Sequence, residues 1–164
     1  MKRLIFLITL AVAGSALSMG QQPVTKNAPA KVVFVCEHGA AKSVLAAAEL
    51  ERMAKERGLS LSIVARGTNI DPELAPSVVN GLRADGLKPG LAKPVKVEAK
   101  DLEGAIKVIT FGPDLSGLLP KGTRSLDWSA TPSPGQNYAG ARDYIRKELE
   151  TLIQQLEHEK PQHK

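Results

Sequence analysis

Cysteine is almost missing from this chain: its 164 residues include one, Cys36. Intramolecular disulfides are therefore excluded, and the domain must stand on its hydrophobic core. Aromatic residues are also scarce, at 4%, and the Lys and Arg residues are scattered rather than gathered into a stripe. A nucleic-acid surface needs a clustered basic face, so no nucleic-acid partner is expected. A single Cys with no close group of His and carboxylates leaves no metal site to expect, and no cofactor is called for. Long hydrophobic runs are absent too. The apolar stretch from Leu4 to Val12 falls short of the roughly 20 residues a membrane-crossing helix needs, so no stable membrane anchor is expected.

That short run follows Met1, Lys2 and Arg3 and precedes the small residues Ala13 to Ser18. Basic start, apolar middle and small residues at the end are the order of a secretory signal. Residues 1–20 are read as a signal peptide cut after Gly20, with a cut after Ser18 as second choice, and the protein as exported, periplasmic or secreted. Loss of Lys2 and Arg3 lowers the net charge from +5 to +3. Residues 21–30, with Gln, Pro, Asn and Thr, read as a linker, residues 31–158 as one domain with one core, and 159–164 as a tail. A lone thiol in an oxidising compartment invites oxidation, so its presence is easiest to understand if it is used. The alternative is a small buried hydrophobe.

The periodicity alternates between strand and helix. Val32 to Val35 is a continuous apolar run of the kind found in a parallel strand buried on both faces. Ser43 is placed to cap a helix in which Val44, Leu45, Ala48, Leu50 and Met53 recur at helical spacing, with Gly58 as the stop. Leu61–Ala65 is a second strand, and Pro76–Ala84 a helix with Pro in its first turn and Gly86 beyond its end. Lys107–Phe111 and Arg124–Trp128 are further strands, Ala139–Glu157 a long final helix, and Val95–Val97 too short to assign. Such alternation predicts an α/β fold in three layers, with a small, about four-stranded parallel sheet between helices.

The segment Cys36, Glu37, His38, Gly39, Ala40, Ala41, Lys42, Ser43 has the form Cys-x5-Lys-Ser between the first strand and its helix. A helix start leaves N–H groups unpaired and carries about half a positive charge, so an oxyanion can be held there by backbone alone. Gly39, flanked by Ala40 and Ala41, lets the main chain curl around it. Residues Glu37 to Ala41 are thus candidate oxyanion-binding residues. A thiol aimed into that loop has its thiolate favoured by the N–H groups, by Lys42 and by the Ser43 hydroxyl, and a thiolate beside a bound phosphate is a placed nucleophile.

The run VVFVCEHGAAKSVLAAAEL resembles the signature of the low-molecular-weight protein tyrosine phosphatases and the thiol-dependent arsenate reductases that share their fold. Their pattern is a strand, Cys-x5-Arg-Ser, then a helix with an Ala-Glu pair, matched here by Ala48 and Glu49. Weaker likeness continues in ARGTNIDPELAP, SVVNGLRADGL, KVITFG and LDW and in the helix from Tyr138. The resemblance implies that fold, Cys36 as the nucleophile that takes the phosphoryl group, and Ser43 as hydrogen-bond partner of its thiolate. It also implies that Gly39 stands where the family has a left-handed Asn.

Three features depart from that pattern. Lys42 replaces an Arg that grips two phosphate oxygens, keeping the charge without the fork. The family's Asp-Pro general acid has no counterpart in Trp128 to Pro134, which leaves Asp127 and Asp114 as candidate acids. Asp71 and Pro72 form such a pair in the wrong segment and are assigned no catalysis. Finally, no second cysteine exists for an internal redox relay, so a reductase would need an outside thiol. His38 can assist the anion or the thiolate as an imidazolium, or face solvent. Trp128 and Tyr138 are candidates for an apolar wall of the pocket, Trp128 equally for the core. The expectation is a phosphomonoester hydrolase acting through a cysteinyl-phosphate on a phosphorylated small molecule or phosphoprotein. The alternatives are a non-catalytic phosphate or arsenate binding module and an arsenate reductase using an external thiol.

Overall fold

The structure, a computed structural model, describes residues 29–158. The expected signal peptide and the 159–164 tail lie outside the described residues. The elements are β1 (Ala30–Cys36), α1 (Lys42–Glu56), β2 (Leu61–Gly67), α2 (Pro76–Ala84), α3 (Ala99–Leu102), β3 (Ala105–Thr110), β4 (Ser125–Asp127) and α4 (Tyr138–His158). β1 starts at Ala30, inside the expected linker, because Ala30 pairs with Leu61. The sheet is four-stranded and parallel throughout, in the order β2-β1-β3-β4. No helix of the described residues is long and apolar enough to cross a membrane.

Strand alternation divides the interior. Val32, Phe34 and Cys36 of β1 face the larger core with α1, α2 and α4, whereas Val33 and Val35 face a smaller one with Val97, Leu102, Val108 and Leu115. The central strand is thus buried on both faces, as its unbroken apolar run requires. The one-turn α3 and the segment Val95–Val97 were not legible in sequence. Lys96 makes a single parallel bridge to Gly67, and α3 is held by a capping box in which Glu98 and Asp101 each bond the other's backbone. Both rest on tertiary partners or reciprocal polar bonds rather than on apolar periodicity.

Trp128 belongs to the core. It is 6% exposed and packs with Phe34 and Phe111 at centroid separations of 5.9 and 6.0 Å. Tyr138 turns from the expected pocket wall as well: its ring lies over Gly81, and its hydroxyl donates to Asp85 Oδ2 at 2.9 Å. Burial and that bond hold the phenol above its usual range.

Glu49 fastens α4 to α1. Its side chain is fully buried, yet it accepts from Arg52 Nη2 at 3.1 Å and from Arg146 Nη2 and Nε at 2.8 and 3.0 Å. Removing one member of a buried ion pair costs about 3–5 kcal/mol because the remaining charge loses its partner. Here the two arginines are about a third exposed and can turn to water. Glu49→Ala is therefore expected at the lower end, about 3 kcal/mol less stable in urea unfolding, without change in the unfolding slope.

Candidate active site

In an open parallel sheet, ligands bind beyond the carboxyl ends of the strands, where neighbouring connections leave in opposite directions. β1 has β2 on one side and β3 on the other, so the loops after β1 and β3 part at that point. Cys36 is the last residue of β1. Strand parity turns its thiol toward α1, at the floor of a cavity of about 190 Å³ that Phe111, Ser133 and Pro134 also line.

Residues 37–41 curl between Cys36 and α1, and two observations explain why the curl presents its N–H groups inward. Segment 68–75, after β2, straps the outside of the loop. The N–H groups of Thr68, Asn69, Asp71 and Ala75 donate to the carbonyls of Cys36, Glu37, His38 and Ala40 at 3.1, 2.8, 3.0 and 3.0 Å. With those carbonyls drawn outward, the N–H groups of residues 37–41 meet no acceptor among the described residues. Successive unpaired N–H groups of this kind form an anion-binding concavity.

The second observation is a glycine contact. Gly39 has φ +64°, the left-handed backbone that glycine adopts without strain. Gly67 ends β2 directly behind it, and a Cβ on Gly67 would lie 2.5 Å from Gly39 N and 2.7 Å from Gly39 Cα. The loop holds its shape because two backbones touch where no side chain fits. Gly67 and the strap were missed in sequence. The only available signal was a glycine closing a strand.

Ser43 does not cap α1. The cap position is Ala41, without a side-chain bond. Ser43 sits in the first turn, fully buried, with Oγ 3.1 Å from Cys36 Sγ. Its hydroxyl is engaged by the thiol rather than by the helix backbone. Lys42, first residue of the helix, lines the cavity and makes no ion pair among the described residues, so its ammonium is free to meet an anion.

The two candidate acids lie differently. Asp127 accepts from the Ser129 N–H and hydroxyl at 2.9 and 2.8 Å, an Asx-type turn, and does not line the thiol cavity. Asp114 accepts from Ser116 N–H and Oγ at 2.8 and 2.9 Å, bonds that hold its carboxyl below the usual range. It lines a neighbouring cleft of about 370 Å³ that shares Glu37 and Phe111 with the thiol cavity. His38 faces carboxylates on both sides: Nδ1 is 3.2 Å from Asp71 Oδ1 of the strap, and Nε2 is 3.8 Å from Glu37 Oε2. Among the described residues no group of three or more His, Cys, Asp or Glu is arranged to hold a metal ion.

Comparison with known proteins agrees with this geometry at the level of fold. The sequence model of the family described as "PTS system, Lactose/Cellobiose specific IIB subunit" matches residues 31–85, from β1 to the end of α2. A search of curated proteins finds no match. Among solved structures, YfkJ from Bacillus subtilis superposes with a TM-score of 0.71 at 18% identity, over 82% of this chain and 99% of that one. A protein tyrosine phosphatase from Entamoeba histolytica gives 0.69 at 16% identity, over 79% and 97%. A thioredoxin-dependent arsenate reductase from Corynebacterium glutamicum gives 0.64 at 23% identity, over 79% of this chain and 62% of that one.

Proposed function

We propose that this chain, which has the fold of the low-molecular-weight protein tyrosine phosphatases and related arsenate reductases, is an exported phosphomonoester hydrolase. It acts through a cysteinyl-phosphate on Cys36. The observation that carries this reading is the buried Cys36 Sγ, 3.1 Å from Ser43 Oγ, at the floor of a loop whose carbonyls are tied outward. A phosphoryl group seated on the N–H groups of residues 37–41 has the thiolate beneath it and Lys42 at its side. Lys42 supplies charge without a bidentate fork, so turnover is slower than an arginine in its place would give. The reading is tested by release of inorganic phosphate from an aryl phosphate by the mature protein, with Cys36→Ser as the blank. Equal inactivity of both at every pH would refute it.

A second reading, an oxyanion-binding module without turnover, is favoured by Lys42 and by the engagement of Asp114 and Asp127 in their own turns. It predicts calorimetric binding of phosphate, sulfate or arsenate with no phosphate release from any ester. Arsenate reduction would require an outside thiol, because Cys36 is the sole cysteine. Export is proposed from residues 1–20. The full chain made in a bacterial host is expected outside the cytoplasm with Gln21 at its N-terminus, and an intact Met1 on that fraction would overturn this.

A further inference from the structure

A cysteinyl-phosphate enzyme needs a proton for the departing oxygen, and neither sequence candidate lines the cavity that holds Cys36. Asp114 and Asp127 each accept two bonds from the serine two residues on. His38 is arranged differently. It lines the cavity that holds Cys36 and Lys42, and its Nδ1 lies 3.2 Å from Asp71 Oδ1. A carboxylate at Nδ1 fixes the imidazole's tautomer and orientation, leaving Nε2 as the end that exchanges protons. The loop and strap are themselves joined here, since Asp71 N–H donates to the His38 carbonyl at 3.0 Å. The backbone bond and the side-chain pair thus join the same two residues. Two carboxylates face the imidazole, Asp71 from the strap and Glu37 from the same loop, and Lys42 from the first turn of α1 lines the same cavity.

We propose that His38 is the proton donor and acceptor of this site and that Asp71 is its positioning residue, an inference that rests on the phosphatase reading above. In the first step Cys36 Sγ forms a bond to phosphorus, the bond from phosphorus to the ester oxygen breaks, and that oxygen takes the proton from His38 Nε2. In the second, Nε2 takes a proton from water. The water oxygen bonds to phosphorus, the S–P bond breaks, and the thiolate and the protonated imidazole are restored with release of inorganic phosphate. The stretch Asp71-Pro72, which lies in the wrong segment to protonate a leaving group directly, acts through the histidine instead.

The test is kcat/KM against pH for a series of aryl phosphates running from a nitrophenol to an unsubstituted phenol leaving group. A general acid matters most where the leaving group is poor. His38→Gln is expected to lose about 10²-fold on phenyl phosphate and far less on the nitrophenyl ester. It should also lose the alkaline limb that the proposal expects of the wild type on phenyl phosphate. Asp71→Asn should lower kcat/KM on phenyl phosphate by about 10-fold, again with the smaller loss on the nitrophenyl ester. An equal loss on every ester, with the alkaline limb kept, would overturn the proposal and leave His38 a structural residue. So would a leaving-group effect that appears in Asp114→Asn or Asp127→Asn instead. If the wild type releases no more phosphate than Cys36→Ser from even the nitrophenyl ester, the phosphatase reading itself has failed and this inference falls with it.

Discussion

Cys36→Ser is expected to reduce aryl phosphate turnover by at least about 10⁴-fold, in line with removal of other enzymatic nucleophiles, while phosphate still binds. The two effects separate because different atoms carry them. In the proposed site the anion rests on the N–H groups of residues 37–41 and the ammonium of Lys42, none of which the substitution touches. Bond formation needs a thiolate, and a serine hydroxyl stays protonated where a thiol would ionise. The volume change is small, and the new hydroxyl still reaches Ser43 Oγ, which lies 3.1 Å from the present sulfur. Phosphate affinity measured by calorimetry should therefore remain within a few-fold of wild type, whereas stopped and continuous assays should register no product above blank. Loss of phosphate binding together with turnover would mean that the thiolate holds the anion and the backbone does not.

Gly67→Ala is expected to weaken phosphate binding and turnover together by at least about 10²-fold, the usual effect of moving a positioned group by about 1 Å. The added Cβ meets only backbone: Gly39 N at 2.5 Å, Gly39 Cα at 2.7 Å and the His38 carbonyl carbon at 2.9 Å. No flexible side chain is available to yield, so either the loop or the end of β2 must shift. Gly67 is pinned on both sides of its own peptide, donating its N–H to the Val95 carbonyl at 2.9 Å and accepting from the Val97 N–H at 2.8 Å, while the next residue, Thr68, donates to the Cys36 carbonyl of β1 at 3.1 Å, which leaves the loop as the part that moves. Overpacking of this kind also costs about 1–3 kcal/mol of stability. Gly117→Ala is the matched control, because a Cβ there meets nothing within 4 Å. It should leave both affinity and turnover unchanged. Unaltered phosphate affinity in Gly67→Ala would show that the two glycine backbones are not what shapes the loop.

Much of this architecture was readable before any coordinates. The apolar run Val32 to Val35 read as a strand covered on both faces, and the helical spacing of Val44, Leu45, Ala48, Leu50 and Met53 continued directly from the loop. α2 runs from Pro76 to Ala84 as its proline and following glycine predicted. These elements share one property: their signals are local, a period or a breaker written within ten residues. Ser43 was mistaken for a cap because a serine at a helix start has that role by default. The helix instead starts at Lys42 with Ala41 at the cap, so Ser43 lies within the first turn, where its hydroxyl meets Cys36.

The sequence by itself determined the parallel α/β order, the position of the only cysteine at the end of the central strand, and a glycine able to take left-handed backbone after it. Those follow from composition and periodicity, which act over short stretches of chain. Only the tertiary structure decided that segment 68–75 ties the loop carbonyls outward, that Gly67 touches Gly39, and that Asp71 stands against His38. It also decided that Trp128 is core. Each of the contacts to the loop joins residues some 28 to 35 positions apart, brought together by the β1-α1-β2 crossover. Local pattern carries no information at that range, because what selects the pairing is the register of β2 on β1. The loop from Cys36 to Ser43 was visible as a motif, and its inward-facing backbone is a property of the strand beside it.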